Sequence, residues 1–405
     1  MADSPGPTAP DSVRPIAGPA RPARLRTLND AEALRLLLER GRLSRSDMVR
    51  LIGVSKPTGS QMLARLESAD LVRPVGVTKG RPGRAALLYE INPRAGFAAA
   101  LDVTPQGIHA QIADLTGVVI GEHQLDRPSR ATGSGPKNAV AALDRALLEA
   151  RLDRHDLSCV VLAATGSYDA DADRIRYARH LYGWNGTGLL KTLTTELEVP
   201  VLIENDVNLA AVAERRIGAA QHIVDFFLFW VADGVGSALM LDDKLRRGVN
   251  GGAGEIGFLQ PSGAKVVHSP VRGGTGALEQ WTSGRELIEL AHNHGLSGDD
   301  PATLVATAAA SQKSSAVAFI DDLALRYALG LSAVIALVDP GAIVLAGSVL
   351  AAGGEPLRAR ISHHLRDVAI NNPPLLSSTV QGNPVLAGAL HTALDRTRAT
   401  AFGKT

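Results

Sequence analysis

The sequence predicts an α/β protein with two parts, a small N-terminal winged helix-turn-helix and a larger, two-lobed α/β domain. Three short helical segments with capping signals come first, and strands that alternate with helices follow. The net charge divides at the same place. Residues 24–94 contain 14 Lys and Arg but 7 Asp and Glu, whereas the chain as a whole carries a net charge of only +1. A basic small module on an acidic larger one suggests a nucleic-acid-binding segment attached to something else.

Composition limits the other possibilities. At 405 residues the chain is long enough for two or three domains, and its 45% hydrophobic content suffices for large cores. The single cysteine, Cys159, excludes an intrachain disulfide and a cysteine zinc site, and its apolar neighbours favour a buried strand thiol. The first residues lack the apolar core of a signal peptide, and no run approaches the ~18 apolar residues of a membrane span. We expect a cytoplasmic protein that does not enter the membrane.

The N-terminal part begins with a segment, residues 1–24, whose Pro, Ala, Gly and Ser content predicts a disordered tail. Residues 25–94 then predict the winged helix-turn-helix. Asn29 with Glu32, and Ser44 with Asp47, are capping boxes that predict the starts of two helices.

A third helix is predicted to start after Ser55 and to bury Met62, Leu63 and Leu66. It would be the recognition helix, and two strands around a Gly/Pro-rich tip would form the wing. An arginine pair on such a tip can enter a narrow minor groove. The basic balance favours DNA over the alternative, a winged helix that binds proteins. The candidate DNA-binding residues are Lys56, Pro57, Thr58, Ser60 and Gln61 on the helix and Lys79, Arg81 and Arg84 on the wing.

The larger domain, residues 95–405, reads as two sets of strands and helices. The first set has strands at 98–103, 108–114, 118–124, 159–164 and 199–203, with an amphipathic helix at 138–152. The second has strands at 226–231, 237–241 and 342–345 and a long helix at 316–338. Such a repeat predicts two lobes around a cleft.

The most informative stretch of this domain follows the strand 199–203. Glu204, Asn205, Asp206 and Asn208 form a polar turn before a helix of small apolar residues. In open α/β sheets, ligands bind beyond the carboxyl ends of the strands, and Asn and Asp there can bind a polyol. The alternative is that Asn205 and Asp206 only cap the helix.

This stretch resembles the Glu-Asn-Asp-x-Asn motif of the ROK family, which comprises repressors and sugar kinases. The resemblance extends from about Ala31 to Arg396, and the Gly80-Arg-Pro-Gly-Arg84 wing is similar to that of ROK repressors, a module that the kinases lack. It implies an actin-like sugar kinase fold for residues 95–405. In the kinases the motif's Asp is the catalytic base and its Asn contacts the sugar, which would place these roles on Asp206 and Asn205.

The nucleotide side of the family's site is altered here. The first phosphate loop, Asp-x-Gly-Gly-Thr-Lys in the kinases, is matched by Asp102-Val-Thr-Pro-Gln-Gly107, so both glycines are lost and Pro105 offers no N–H. Asp233 adds a carboxylate to the second phosphate loop, and the adenosine-side Gly-Gly-Gly is matched by Ala346-Gly347-Ser348. We therefore expect no nucleotide cofactor and no enzymatic activity. An ATP-dependent sugar kinase with an added DNA-binding domain is the alternative.

The sugar side is better preserved. By the resemblance, Glu255 and Glu279 match the family's sugar-binding glutamates, although surface charge is the alternative interpretation. His180 stands where the family often has a sugar-binding Asn. Phe258 replaces a His that binds both sugar and zinc, and the cysteines of the zinc loop are absent, so we expect no metal. The candidate ligand-binding residues are thus Asn205, Asp206, Glu255, Glu279, His180 and Phe258.

Together these features predict a transcriptional regulator, most simply a repressor. It would bind double-stranded operator DNA as a homodimer or a dimer of dimers and would respond to a sugar or sugar derivative. Because the pocket is altered at Phe258, the ligand would be unusual or absent.

Overall fold

A computed structural model describes residues 22–77, 85–126, 134–176, 181, 183–184, 186–268 and 275–403. These residues form two compact units. Residues up to 95 belong to the first unit together with 399–403, and residues 96–398 form the second. No helix in the described part of the chain is long and apolar enough to cross a membrane.

The first unit contains three helices, α1 (Pro22–Arg40), α2 (Arg45–Ile52) and α3 (Lys56–Ser68). The predicted capping box of Ser44 and Asp47 is present at the start of α2, and Gly53 ends that helix in the left-handed conformation. Ser55 caps α3 as predicted, and Met62, Leu63 and Leu66 are buried beneath it.

The predicted start of the first helix is wrong. Asn29 lies inside α1, which already begins at Pro22, within the segment predicted to be a disordered tail. Its neighbour Asp30 is fully buried and accepts hydrogen bonds from Arg65 of α3 at 3.0 and 2.6 Å. This buried, bidentate pair joins α1 to α3. Its two residues, Asp30 and Arg65, are 35 positions apart in the chain.

The wing strands are β2 (Val72–Val77) and β3 (Leu87–Ile91), which pair in an antiparallel manner. A two-residue strand that was not predicted, β1 (Leu43–Ser44), pairs with the other edge of β3. The order is β1-β3-β2, so the wing is a three-stranded sheet. The wing tip with Lys79, Arg81 and Arg84 lies outside the described residues.

The second unit is built on two five-stranded sheets with the same topology. The first has the order β10-β7-β4-β5-β6 and the second β13-β12-β11-β14-β15. In each, three consecutive strands form an antiparallel meander. One later strand pairs in parallel with the first strand of the meander, and a second later strand pairs in parallel with that added strand. The strands of the first sheet are β4 (Phe97–Val103), β5 (Gly107–Asp114), β6 (Val119–Asp126), β7 (Leu157–Ala164) and β10 (Val201–Asn205). Those of the second are β11 (Phe226–Val231), β12 (Val235–Leu241), β13 (Lys244–Arg246), β14 (Ile343–Ala346) and β15 (Leu375–Ser377). This repeat is the one that the sequence predicts.

Helices cover the sheets, and a small hairpin, β8 (Ser167–Asp169) and β9 (Arg174–Arg176), follows β7. The further helices of the described residues are α4 (Gly135–Ala150), α5 (Leu189–Leu197), α6 (Asp206–Ile217), α7 (Ala277–Thr282), α8 (Gly284–Asn293), α9 (Pro301–Ala309), α10 (Ser314–Val338), α11 (Ser348–Val368) and α12 (Pro384–Phe402). The hydrophobic core packs α4 and α5 against the first sheet and α7 to α11 against the second. Cys159 is buried in the sheet, as predicted.

The helices α6 and α12 contribute to a third cluster, which contains side chains from both sheets. They cross so closely that a Cβ on Gly388 would lie 1.8 Å from the backbone oxygen of Leu209. Glycine at this point therefore permits the close approach of the two helices. Because α6 begins directly at the Asn205–Asp206 turn, this packing fixes the position of the turn.

Candidate functional site

The outward face of α3 presents polar side chains in the first unit. Lys56, Pro57 and Gln61 are exposed, and Thr58 and Ser60 are partly exposed. The Thr58 hydroxyl lies 2.9 Å from that of the capping Ser55. This face combines a positive charge, a carboxamide and hydroxyls, which are groups suited to phosphates and base edges.

Arg45 adjoins this face, although no sequence motif marks it. At the start of α2, it donates a hydrogen bond from Nη1 to the Ser60 hydroxyl at 3.1 Å and is itself exposed. The contact is possible because α2 and α3 are tightly packed. A Cβ on Gly59 would lie 2.2 Å from a methyl group of Val49. Gly59 thus sets the distance between the two helices of the helix-turn-helix.

The polar turn of the second unit lies between β10 and α6. Asn205 is the N-cap of α6, since its side-chain oxygen accepts from the Asn208 backbone N–H at 2.9 Å. Its side-chain amide donates to the Gly166 carbonyl oxygen at 3.0 Å. Asn205 therefore caps the helix, and its carboxamide retains further donor and acceptor capacity for a ligand.

Asp206 is the first residue of α6. Its Oδ1 accepts from the Val207 N–H and its Oδ2 from the Thr165 hydroxyl, both at 2.9 Å. Burial raises the pKa of its carboxyl, although these hydrogen bonds to the ionised form oppose the shift. Thr165 is exposed and was not identified from the sequence, because the residue is separated from Asp206 by 41 positions.

The two predicted glutamates come from other segments and lie near this turn. Glu255 lines a recess together with Asn205, Asn208 and Ser237. Its side chain reaches solvent, yet surrounding protein atoms and the Asp206 charge raise its pKa. Glu279, on α7, is partly buried, and burial raises the pKa of this carboxyl to about 7, with the charges of Glu255 and Glu286 adding to the shift.

The structure therefore places Asn205, Asp206, Glu255 and Glu279 near one another. Asn205 and Glu255 line one recess, the charge of Asp206 acts on Glu255, and that of Glu255 acts on Glu279. The carboxylate oxygens of Glu279 lie close to Gly234 and Gly257. A Cβ on Gly234 would be 3.1 Å from Oε1, and one on Gly257 would be 3.7 Å from Oε2. Phe258 lies three residues after Glu255 in a short 3₁₀ helix and is partly buried. His180 lies outside the described residues. A set of carboxylates and a carboxamide at one cleft can accept and donate hydrogen bonds to several hydroxyls.

The segment that matches the first phosphate loop forms a tight turn between β4 and β5. The Thr104 N–H donates to the Gly107 oxygen at 2.9 Å, and the Gly107 N–H donates to the Thr104 hydroxyl at 3.2 Å. These bonds use N–H groups that a phosphate-binding loop would direct to its ligand, and Pro105 has none. Asp233 in the second loop is exposed.

Asp102, at the end of β4, is buried and accepts a hydrogen bond from Asn383 at 2.7 Å. Burial raises the pKa of the Asp102 carboxyl, and the charge of Asp206 adds to this. The Asn383 oxygen in turn accepts from the Leu386 N–H in the first turn of α12. This side of the cleft is thus closed by contacts within the protein.

Comparison with known proteins agrees with these features. The ROK family model matches residues 98–396. A xylose repressor of Caldicellulosiruptor bescii is 23% identical over 66% of this chain and 66% of its own length. A glucokinase of Halalkalibacterium halodurans is 28% identical over 58% of this chain and 74% of its own.

Among solved structures, a ROK family transcriptional regulator, a homolog of the E. coli MLC protein, superposes with a TM-score of 0.75. It is 19% identical, and the match covers 94% of this chain and all of that one. At this identity the match concerns the fold, and it includes the actin-like, two-lobed architecture that the sequence predicts. The family model covers most of the chain, and on this evidence the chain belongs to the ROK family.

Proposed function

We propose that this chain is a ROK-family transcriptional repressor that binds operator DNA through the first unit and responds to a sugar in the cleft of the second. One observation carries the proposal. The same chain contains a basic helix-turn-helix with an exposed polar face and a cleft that keeps polyol-type groups but not the phosphate loops. The similarity to a xylose repressor supports the same assignment.

The DNA-binding surface is proposed to include the α3 face and the wing. Lys56 and Gln61 would contact phosphates and base edges, with Pro57, Thr58 and Ser60 beside them, and Arg81 and Arg84 would enter the minor groove. Arg45 extends this surface because its guanidinium adjoins Ser60. A dimer would match the symmetry of a palindromic operator.

The cleft is proposed to bind a sugar or sugar derivative through Asn205, Asp206, Glu255 and Glu279, with His180 and Phe258 at its edge. The apolar ring of Phe258 could lie against a deoxy position, an N-acetyl methyl group or the unsubstituted carbon of a pentose. A sugar that binds one conformation better than another would shift the DNA-binding equilibrium by its difference in affinity.

A sugar kinase with an added DNA-binding unit is the second candidate. The 28% identity to a glucokinase and the retained Asp206 favour it. Three features oppose it: the closed Thr104–Gly107 turn, the missing N–H of Pro105 and the carboxylate of Asp233. We therefore propose that the chain neither binds ATP nor phosphorylates sugars and holds no zinc.

The test begins with the recovery of genomic DNA fragments bound by the purified protein. Lys56→Ala should weaken binding to a recovered fragment by about tenfold, since it removes one phosphate or base contact. Lys244→Ala is the matched control, because Lys244 is also exposed but lies on β13 of the second unit. Equal binding by parent and both variants would reject the α3 face as the DNA-binding surface.

The kinase alternative needs its own assay. ATP turnover is measured with a panel of monosaccharides, and elemental analysis of the same preparation measures zinc. Sugar-dependent turnover that is lost in Asp206→Ala would make the kinase the better description of this protein.

A further inference from the structure

Glu204 is a buried carboxylate that precedes the ligand-site turn and has three hydrogen-bond partners. It is 6% exposed. Its Oε1 accepts from the Asn205 backbone N–H at 3.0 Å and from the Asn208 side-chain amide at 2.9 Å. Its Oε2 accepts from Nε of Arg247. A buried carboxylate requires such partners, and its only cationic one among the described contacts is Arg247.

Arg247 lies at the base of a glycine-rich loop, residues 248–254, that leads directly to Glu255. Its backbone oxygen accepts from the Ala253 N–H at 3.0 Å, so the same residue also closes the loop. Gly248, Gly251 and Gly254 have positive φ angles, and Val249 at the loop tip is fully exposed. A loop with this glycine content has a high conformational entropy when it is not held in place.

Two further contacts hold the loop. The Ser167 hydroxyl, at the start of β8, donates to the Gly251 oxygen at 3.0 Å. The Ser237 hydroxyl, on β12, donates to the Gly254 oxygen. Ser167 and Glu204 belong to the lobe of the first sheet, whereas the loop follows β13 of the second sheet. The loop therefore joins the two walls of the cleft.

We propose that Glu204 and Arg247 form a latch that positions the 248–254 loop, and with it Glu255, against the Asn205–Asp206 turn. Both are positioning residues rather than ligand contacts. This inference rests on the proposed function for its link to sugar binding, but the ordering of the loop can be tested without any sugar.

The latch has a clear physical basis. The Glu204 carboxylate accepts hydrogen bonds from the Asn205 backbone and from the Arg247 guanidinium. The segment that carries Asn205 and the segment that leads to Glu255 are therefore bound to the same carboxylate. Since one side of the pair is buried and the Arg247 side chain is half exposed, the pair should contribute more than a surface ion pair but less than a fully buried one.

Hydrogen exchange of the full chain tests the latch. Peptides covering 248–255 are followed by mass spectrometry in the parent, Arg247→Met and Glu204→Gln. We expect their amides to exchange about tenfold faster in both variants, because the loop opens more often when the pair is removed. Peptides from β7 report whether the fold is intact.

Arg246→Met is the matched control. Arg246 is the neighbouring residue and is similarly exposed, but it pairs with Asp242, whereas Arg247 pairs with Glu204. In the Arg246→Met variant, the exchange rates of the 248–255 peptides should stay within about twofold of those in the parent. Unchanged loop exchange in Arg247→Met and Glu204→Gln, with an intact fold, would overturn the proposal.

A second arm measures the affinity for D-xylose and D-glucose by titration calorimetry. If the parent binds either sugar, Arg247→Met should weaken binding about tenfold and Arg246→Met should not. Sugar binding that is abolished in Asp206→Ala but unchanged in Arg247→Met would overturn the latch and leave the proposed function standing. If the parent binds neither sugar, the exchange result still decides whether the latch orders the loop, and only the choice of ligand is affected.

Discussion

Replacing Glu279 by Gln should change how the stability of the protein depends on pH. The pKa of this carboxyl is raised from its ordinary value of 4.5 to about 7, first by burial and then by the charges of Glu255 and Glu286. Gln has the same shape and no charge, and its oxygen can still accept the hydrogen bond that Gly276 donates to Glu279.

The direction follows from the two pKa values. Well below pH 4.5 the carboxyl is protonated in both the folded and the unfolded chain and has no effect. As the pH rises toward 7, the unfolded chain ionises first, so the folded state loses stability relative to it. Above about 7 the full penalty is present. A pKa raised by about 2.5, from 4.5 to about 7, converts to roughly 3–4 kcal/mol as an upper limit.

Thermal unfolding from pH 4 to 8 measures this effect. The parent should lose stability relative to Glu279→Gln as the pH rises, and the variant should be the more stable protein at pH 8. Glu289→Gln, an exposed residue on α8, is the control and should follow the parent. If the parent and Glu279→Gln have parallel profiles, then Glu279 is not in the enclosed, carboxylate-rich setting on which the site depends.

Three other changes test the fold and the DNA-binding surface. Gly59→Ala should destabilise the first unit by about 1–2 kcal/mol and weaken DNA binding, since the overpacking against Val49 costs more than the gain in helix propensity. The double variant Gly59→Ala/Val49→Ala should regain both stability and DNA binding, because it removes the overpacking. Gly388→Ala should cost about 3 kcal/mol or more in thermal unfolding because the new Cβ meets a backbone oxygen, whereas Gly186→Ala, in open space, should have little effect. Replacing Arg81 and Arg84 together by Ala should reduce the salt dependence of DNA binding by about one unit for each phosphate that the wing no longer neutralises, and an unchanged slope would reject the wing as part of the DNA-binding surface.

Local patterns were sufficient to predict most of the second unit. The strands β4, β5, β7 and β11 are runs of apolar residues between turn residues, and both burial and strand pairing follow from them. The repeated order of the two sheets was also expected, because the two segments show the same succession of strands and helices.

The error at α1 has a physical cause. Asn29 and Glu32 fit a capping box, but Asn29 can also lie inside a helix when the adjacent residues of that helix pack against the rest of the unit. Asp30 pairs with Arg65 of α3, and this contact is not visible in a local window of sequence. The two-residue strand β1 was missed for the same reason, because it exists only through its pairing with β3.

The candidate site was predictable where motifs mark it and not elsewhere. The motifs point to Asn205, Asp206, Glu255 and Glu279, and the structure places these four residues near one another, while their binding of a sugar stays a prediction. Thr165 and the Glu204–Arg247 pair were not identified, because these contacts join residues that are 41 and 43 positions apart. A sequence motif does not specify which hydrogen bonds a polar residue makes, so these contacts can be identified only in the structure.

The most direct measurement of the central claim is the effect of sugars on DNA binding. A genomic fragment recovered with the protein is labelled, and its binding is followed by fluorescence anisotropy while D-xylose, D-glucose and other monosaccharides are added. We predict that one sugar or sugar derivative weakens binding of the parent at least about tenfold, that Asp206→Ala and Glu255→Ala bind the DNA normally, and that neither variant responds. Release of the DNA by a sugar that acts equally on the parent and both variants would contradict the proposed sensor site, as would a parent whose DNA binding no sugar changes.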